Sequence, residues 1–166
     1  MTLRAISVAL GLVLTTPLAA IAQDGWIIVS ANEDGVVALS PPHTHSRDQA
    51  GRLRLTVAYW TVEGSWIAVD GEEKFSRMAS MSVTLDCRAG TLQGSAPNYW
   101  GPEAKLLAMG PPESDSAVVP ESPEEETVLR EGCAASDQRV QLGQSDSLAS
   151  LERDGPIFLV RALTNR

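Results

Sequence analysis

Cys87 ends the most regular stretch of the chain, and Cys133 is the one other cysteine in the sequence. Met81, Val83, Leu85 and Cys87 fall on one side of a two-residue alternation, with Ser80, Ser82, Thr84 and Asp86 on the other. That is the pattern of a strand with one buried face, and its register points Cys87 into the core. Whether the thiols join depends on the compartment. Met1-Thr2-Leu3-Arg4, the apolar Ala5–Leu14, the helix-breaking Thr15-Thr16-Pro17 and the small-residue site Ala20-Ile21-Ala22 read as a cleavable secretory signal over residues 1–22. The competing reading is an uncleaved anchor, because no charge falls between Ala5 and Ala22; Pro17 and the Ala-x-Ala site argue against it. Export to an oxidising compartment with an even cysteine count favours an intramolecular Cys87–Cys133 bridge over two free buried thiols or an intermolecular link. By the chain-entropy relation, closing about 47 residues stabilises the fold by about 4 kcal/mol.

No Cys-x-x-Cys is present, which disfavours redox chemistry. Zinc is disfavoured because structural sites want four clustered ligands. No cysteine lies near the cleavage site to carry a lipid, and no later segment is apolar enough to span a membrane. The expected product is residues 23–166, one α+β domain in the periplasm or secreted. The signal contains one base, Arg4, and no acid, so the remaining chain has 12 bases against 21 acids, a net −9. An acidic protein of this kind lacks the basic footprint for nucleic acid or anionic lipid.

Along the chain, Trp26–Ala31 and Val36–Leu39 read as strands joined by the turn Asn32-Glu33-Asp34-Gly35. In Arg52–Trp60, Leu53, Leu55, Val57 and Tyr59 share a face. Trp60 therefore points opposite to Tyr59, so one of the pair faces away from the core or into a second layer. Gly64–Glu73 is turn-rich, Phe75–Cys87 holds the next strand, Thr91–Tyr99 can pair back on it, and Leu106–Met109 is a short apolar piece. Residues 110–122 are a proline-rich loop. Ser122 as cap, Pro123 at the first position and Glu124–Glu126 in the first turn then start a helix over about 123–131, with Gly132 suited to the stop. Ser145–Arg153 is a second short helix ended by Gly155-Pro156, and Ile157–Leu163 a final strand in preference to a helix. The expected architecture is α+β: a mainly antiparallel sheet of about six strands with one or two short helices, one tied to the sheet by the disulfide.

This order of features resembles the surface-adhesin protein E family and related small exported bacterial proteins. A tryptophan opens the first strand (Trp26), a strand ends in Leu85-Asp86-Cys87, another in Tyr99, and a Pro/Ser/Glu segment leads from Ser122 to Cys133. The resemblance covers about 26–133 and leaves out 134–166. It implies an antiparallel sheet tied to a helix by a disulfide, and a binding or adhesive role in the envelope. This chain departs from the lipid-anchored adhesin in lacking a lipobox cysteine, and it carries no match to the adhesive binding residues.

Among the residues that could carry chemistry, His43-Thr44-His45 is the one histidine pair. In a strand it would put both rings on one face, as some metal sites do, with an acid or water as third ligand; the prolines before it suggest a loop. The acids of Glu121–Glu131 read as a solvated helix face. Ser65 follows a glycine but has no Gly-x-Ser-x-Gly context, and Walker, dinucleotide and His-Glu-x-x-His motifs are absent. Trp66 and Trp100, beside glycines in expected loops, are candidate contacts for a partner. The sequence leans away from an enzyme without deciding the point, a small hydrolase with scattered catalytic carboxylates being a third reading, and it implies no cofactor. It points to an exported envelope protein with a binding, structural or adhesin-like role toward a macromolecular partner. The alternative is a small-ligand or metal-binding periplasmic protein using His43 and His45.

Overall fold

The computed structural model describes residues 25–111 and 116–164; the expected signal and residues 112–115 of the proline-rich loop lie outside them. β1 (Trp26–Ala31) and β2 (Gly35–Leu39) form the expected hairpin. Its turn is held by Asn32, whose Oδ1 accepts from the N–H groups of Asp34 and Gly35, each at 3.0 Å. A 3-10 turn at Pro42–Thr44 leads to β3 (Ser46–Arg47), then β4 (Leu53–Val69) and β5 (Glu72–Asp86). β6 (Thr91–Gly94), β7 (Asn98–Gly101) and β8 (Lys105–Met109) follow. Helix α1 (Pro123–Cys133), β9 (Gly143–Ser145) and α2 (Leu148–Thr164) complete the described residues. The sheet order is β8-β7-β5-β4-β2-β1-β9, with β3 beside β4 and β6 beside β5. All pairings are antiparallel.

The α+β class and the antiparallel sheet are as expected, but the described residues form nine strands in place of about six. β3 and β9 are too short to show a period. The expected single strand 91–99 divides in two, because Ser95-Ala96-Pro97 interrupts the pairing along β5. The turn-rich stretch 64–73 is instead strand: β4 and β5 run on beyond the core as a two-stranded ribbon that reverses at Asp70-Gly71.

Helices cover both faces of the sheet. Under α1 lie Ile27, Val29, Val37, Leu39, Leu55, Val57, Val83 and Leu85, joined by Val128. Under α2 lie Ile28, Val36, Ala38, Ala58, Trp60 and Met78, joined by Leu151 and Phe158. The central strands are therefore buried on both sides, which is why β2 reads as an unbroken apolar run. Trp60 settles into the second layer, 3% exposed. Burying a side chain of that size stabilises by about 2–3 kcal/mol or more.

α1 begins as its sequence dictates. Ser122 Oγ accepts from Glu125 N–H at 3.2 Å, and Glu125 Oε2 accepts from Ser122 N–H at 3.3 Å, a complete capping box. Its end is different from the expectation. Gly132 lies within the last turn, pressed on Leu85, and Ala134 caps the helix. Arg139 returns to donate to the carbonyls of Glu131, Gly132 and Ala134, satisfying helix-end acceptors with a cation at the negative pole of the dipole. The buried Glu131 carboxylate accepts from Val140 N–H and from Arg130 Nε, both at 2.7 Å, and so fastens the segment that leads to β9.

The Cys87–Cys133 disulfide is present, with 5.6 Å between Cα atoms. It ties the last residue of α1 to the residue after β5. Cys87 itself does not enter the core: it is exposed, because β5 ends at Asp86, whose carboxylate turns the chain by accepting from Arg88 and Ala89 N–H. The bridge clasps the sheet's end from outside.

The C-terminal expectation is also corrected. Gly155-Pro156 does not end a helix, and 157–163 is not a strand; α2 passes through both residues. Proline inside a helix costs about 3 kcal/mol. Packing offsets it: a Cβ at Gly155 would sit 2.6 Å from Trp60 Cδ2, so glycine lets the helix backbone lie directly on that ring, while Pro156 faces outward.

Candidate functional site

The expected site residues do not come together. His43 and His45 lie in and just after the 3-10 turn, not in a strand. His45 is half-buried, and its ring Nε2 donates to the Ser40 carbonyl at 2.8 Å. Burial lowers its pKa, opposed by the Ser40 bond and assisted by the charges of Arg139 and His43. Among the described residues no group of three His, Cys, Asp or Glu side chains could hold a metal ion, so the pair finds no third protein ligand there.

Trp100 lies in β7 rather than a loop. It is half-buried against the cluster under α2, and its indole N–H donates to Ser80 Oγ at 2.8 Å. Next to it Ser76 Oγ donates to the carbonyl of Trp100 at 2.7 Å, so strand β7 is fastened to β5 by side chains as well as backbone. This tryptophan is engaged by its own fold.

Trp66 is placed differently. It too sits in a strand, but on the outer ribbon, and is 69% exposed. Its ring is 5.2 Å from that of Phe75, its cross-strand partner, and Arg77 lies over the other ring of the pair at 5.5 Å. Four residues of β4, 61–64, stand opposite the single Arg77 of β5, a wide bulge between the core hairpin and the ribbon. Gly64 makes it possible: its φ is +70°, and a Cβ there would lie 2.4 Å from Phe75 Cζ. The bulge re-aims the outer strand pair, so Trp66 and Phe75 present an aromatic pair outside both helix-covered cores.

A feature that the sequence reading missed is a polar groove of about 420 Å³ at the open end of the α2-covered face. Arg47, Arg52 and Arg54 line it from β3, β4 and the loop between them; Ser82, Thr84 and Gln93 line it from β5 and β6. The strand register sets Ser46, Arg54, Thr84 and Gln93 side by side across four strands. The connecting loop is tightly held. Asp48 Oδ1 accepts from Ala50 and Arg52 N–H, Oδ2 from Arg52 Nε at 2.7 Å, and Arg47 donates to the Gly51 carbonyl at 2.8 Å. The hydrogen bond from Arg52 is the main reason that Asp48 holds its carboxyl below the usual range. The one available signal was the solvent side of two alternating strands, where Arg54 and Thr84 occupy equivalent outward positions; only the pairing register reveals that they are neighbours.

No helix among the described residues is long and apolar enough to cross a membrane. Comparison with protein-family models, with curated proteins and with solved structures finds no match.

Proposed function

We infer that the protein is an exported, non-enzymatic envelope protein with a binding or adhesin-like role, and that it meets a macromolecular partner through the outer β4–β5 ribbon. The observation that carries this reading is Trp66: a large aromatic side chain, 69% exposed, on a strand pair that contributes nothing to either core. Tryptophans are enriched among the residues that dominate binding energy at interfaces. The Cys87–Cys133 bridge supports export, since such bonds persist in oxidising compartments. The resemblance to the surface-adhesin protein E family supports the same role. Trp100 belongs to this reading only as a brace beneath the ribbon.

The test is a photoreactive side chain at position 66 in the full chain produced in cells, with cross-linked species identified by mass spectrometry. One envelope component captured from position 66, and not from the exposed control position Gln138, is the expected result. Equal or absent capture at both positions, or a hydrolytic activity lost on one point mutation, would overturn the reading.

A further inference from the structure

The groove between β3–β4 and β5–β6 has the chemistry of an anion site in a protein whose overall charge is of the opposite sense. Acids outnumber bases 21 to 13 in the chain, yet three arginines line the groove and one acid, Asp48. That acid is already occupied, with both oxygens accepting bonds from its own loop. The Arg54 side chain makes no hydrogen bond or ion pair among the described residues, although its backbone stands on a paired strand between Ser46 and Thr84. Guanidinium groups gathered this way repel one another unless something neutralises them, and their planar donor fork matches carboxylate and phosphate oxygens.

The rest of the lining narrows the ligand. No aromatic or aliphatic side chain lines the groove, so it offers no stacking platform for a nucleobase and no apolar wall for an acyl chain. It offers the hydroxyls of Ser82 and Thr84 on the floor and the Gln93 amide beside them. A volume of about 420 Å³ lies in the lower part of the 300–1,000 Å³ spanned by small-ligand sites, roughly. The α2-covered part of the same face shows the contrast: there β4 and β5 present Ala58, Trp60 and Met78, and the polar set begins where the helix no longer covers them. We propose that this groove binds an anionic sugar, a polyhydroxylated ligand carrying a phosphate or carboxylate, with Arg54 and its neighbours holding the oxyanion and Thr84 and Gln93 meeting the hydroxyls. The source is either a free sugar phosphate or uronate, or the end of an anionic polysaccharide.

The experiment is titration of the intact protein at low ionic strength, followed by calorimetry and amide chemical shifts. The probes are glucose 6-phosphate, glucuronate, a short oligogalacturonate, inorganic phosphate and neutral glucose. At least one of the anionic sugars binds, with shifts at residues 46–54, 82–84 and 93–95, while glucose does not. An oligogalacturonate tighter than glucuronate identifies a polysaccharide end as the source; the reverse identifies a free sugar. Arg54→Ala weakens binding at least tenfold, Arg54→Lys restores part of it, and Thr84→Val weakens the anionic sugar but not inorganic phosphate. The melting temperature of each variant shows that it folds, and Trp66→Ala leaves these affinities unchanged, which separates the site from the ribbon. No binding by any anionic sugar at millimolar concentration, glucose binding as well as they do, phosphate binding as tightly as they do, or an unaltered affinity in Arg54→Ala would each overturn the proposal.

Discussion

The two halves of the β4–β5 hairpin belong to the same strands and lead different lives. From Leu53 to Trp60, β4 belongs to the core sheet, and five of its eight side chains are buried in the cluster under α1 or the cluster under α2. From Ser65 to Val69 its strand partner among the described residues is β5 alone. Each half holds a tryptophan six residues from the other. Trp60 is 3% exposed and has a glycine of α2 laid against it; Trp66 is 69% exposed and has one aromatic neighbour. The comparison shows that strand propensity and aromatic content do not decide what a tryptophan does. The layers that reach it do, and in this molecule neither buried cluster includes a residue of the bulge at 61–64.

The comparison can be broken by substitution. Trp60→Ala leaves a cavity between sheet and helix and costs about 3–5 kcal/mol, read as a fall in the urea midpoint with α2 signals lost first. A loss below about 1 kcal/mol would show that α2 does not rest on this ring. Replacing both cysteines by serine costs about 4 kcal/mol by the chain-entropy relation for a loop of this length, with the α1 amides exchanging faster than those of β1 and β2; unchanged α1 exchange would refute a clasp between α1 and β5. His45 gives a smaller, pH-dependent effect. Burial holds its folded pKa below the ordinary 6.5, so the unfolded chain takes up a proton first. The stability that neutral His45 contributes is present above pH 6.5 and is lost as pH falls through its folded value. The thermal midpoint therefore drops on acidification from pH 7.5 in the native chain and drops less in His45→Gln. Identical slopes would remove His45 from the account. Trp66→Ala, at the other extreme, changes stability by no more than about 0.5 kcal/mol, while removing the fluorescence of the most solvent-exposed tryptophan. A larger loss would mean that the ribbon is part of the cooperative fold.

Much of the central fold was legible from residues alone. Alternation located the inner halves of β4 and β5, Asn32-Glu33-Asp34-Gly35 marked the first hairpin, and Ser122-Pro123 with three glutamates marked the start of α1 to the residue. These signals succeed because they are local: a turn, a cap or a two-residue period is satisfied by atoms a few positions away. The placement of Trp60 opposite Tyr59 required one of the pair to face away from the core or into a second layer. That layer is α2, which was read as two pieces because Gly155-Pro156 is a helix stop in isolation. The site was far less legible. Arg54, Thr84 and Gln93 are distant in sequence and meet only through register.

What the sequence by itself determined was the sheet's inner pattern, the cap of α1, the excess of acids and the two cysteines available to each other. What only the tertiary structure decided was where each face ends. It carried a helix through a proline because Trp60 accepts the backbone of Gly155, and it put Cys87 outside the core because Asp86 turns the chain. It also grouped three arginines over a row of hydroxyls. The physical reason is one of range: caps and alternation are fixed by bonds within a turn or two of the chain, whereas burial and neighbouring charge are set by whichever segment, however remote in sequence, arrives to cover them.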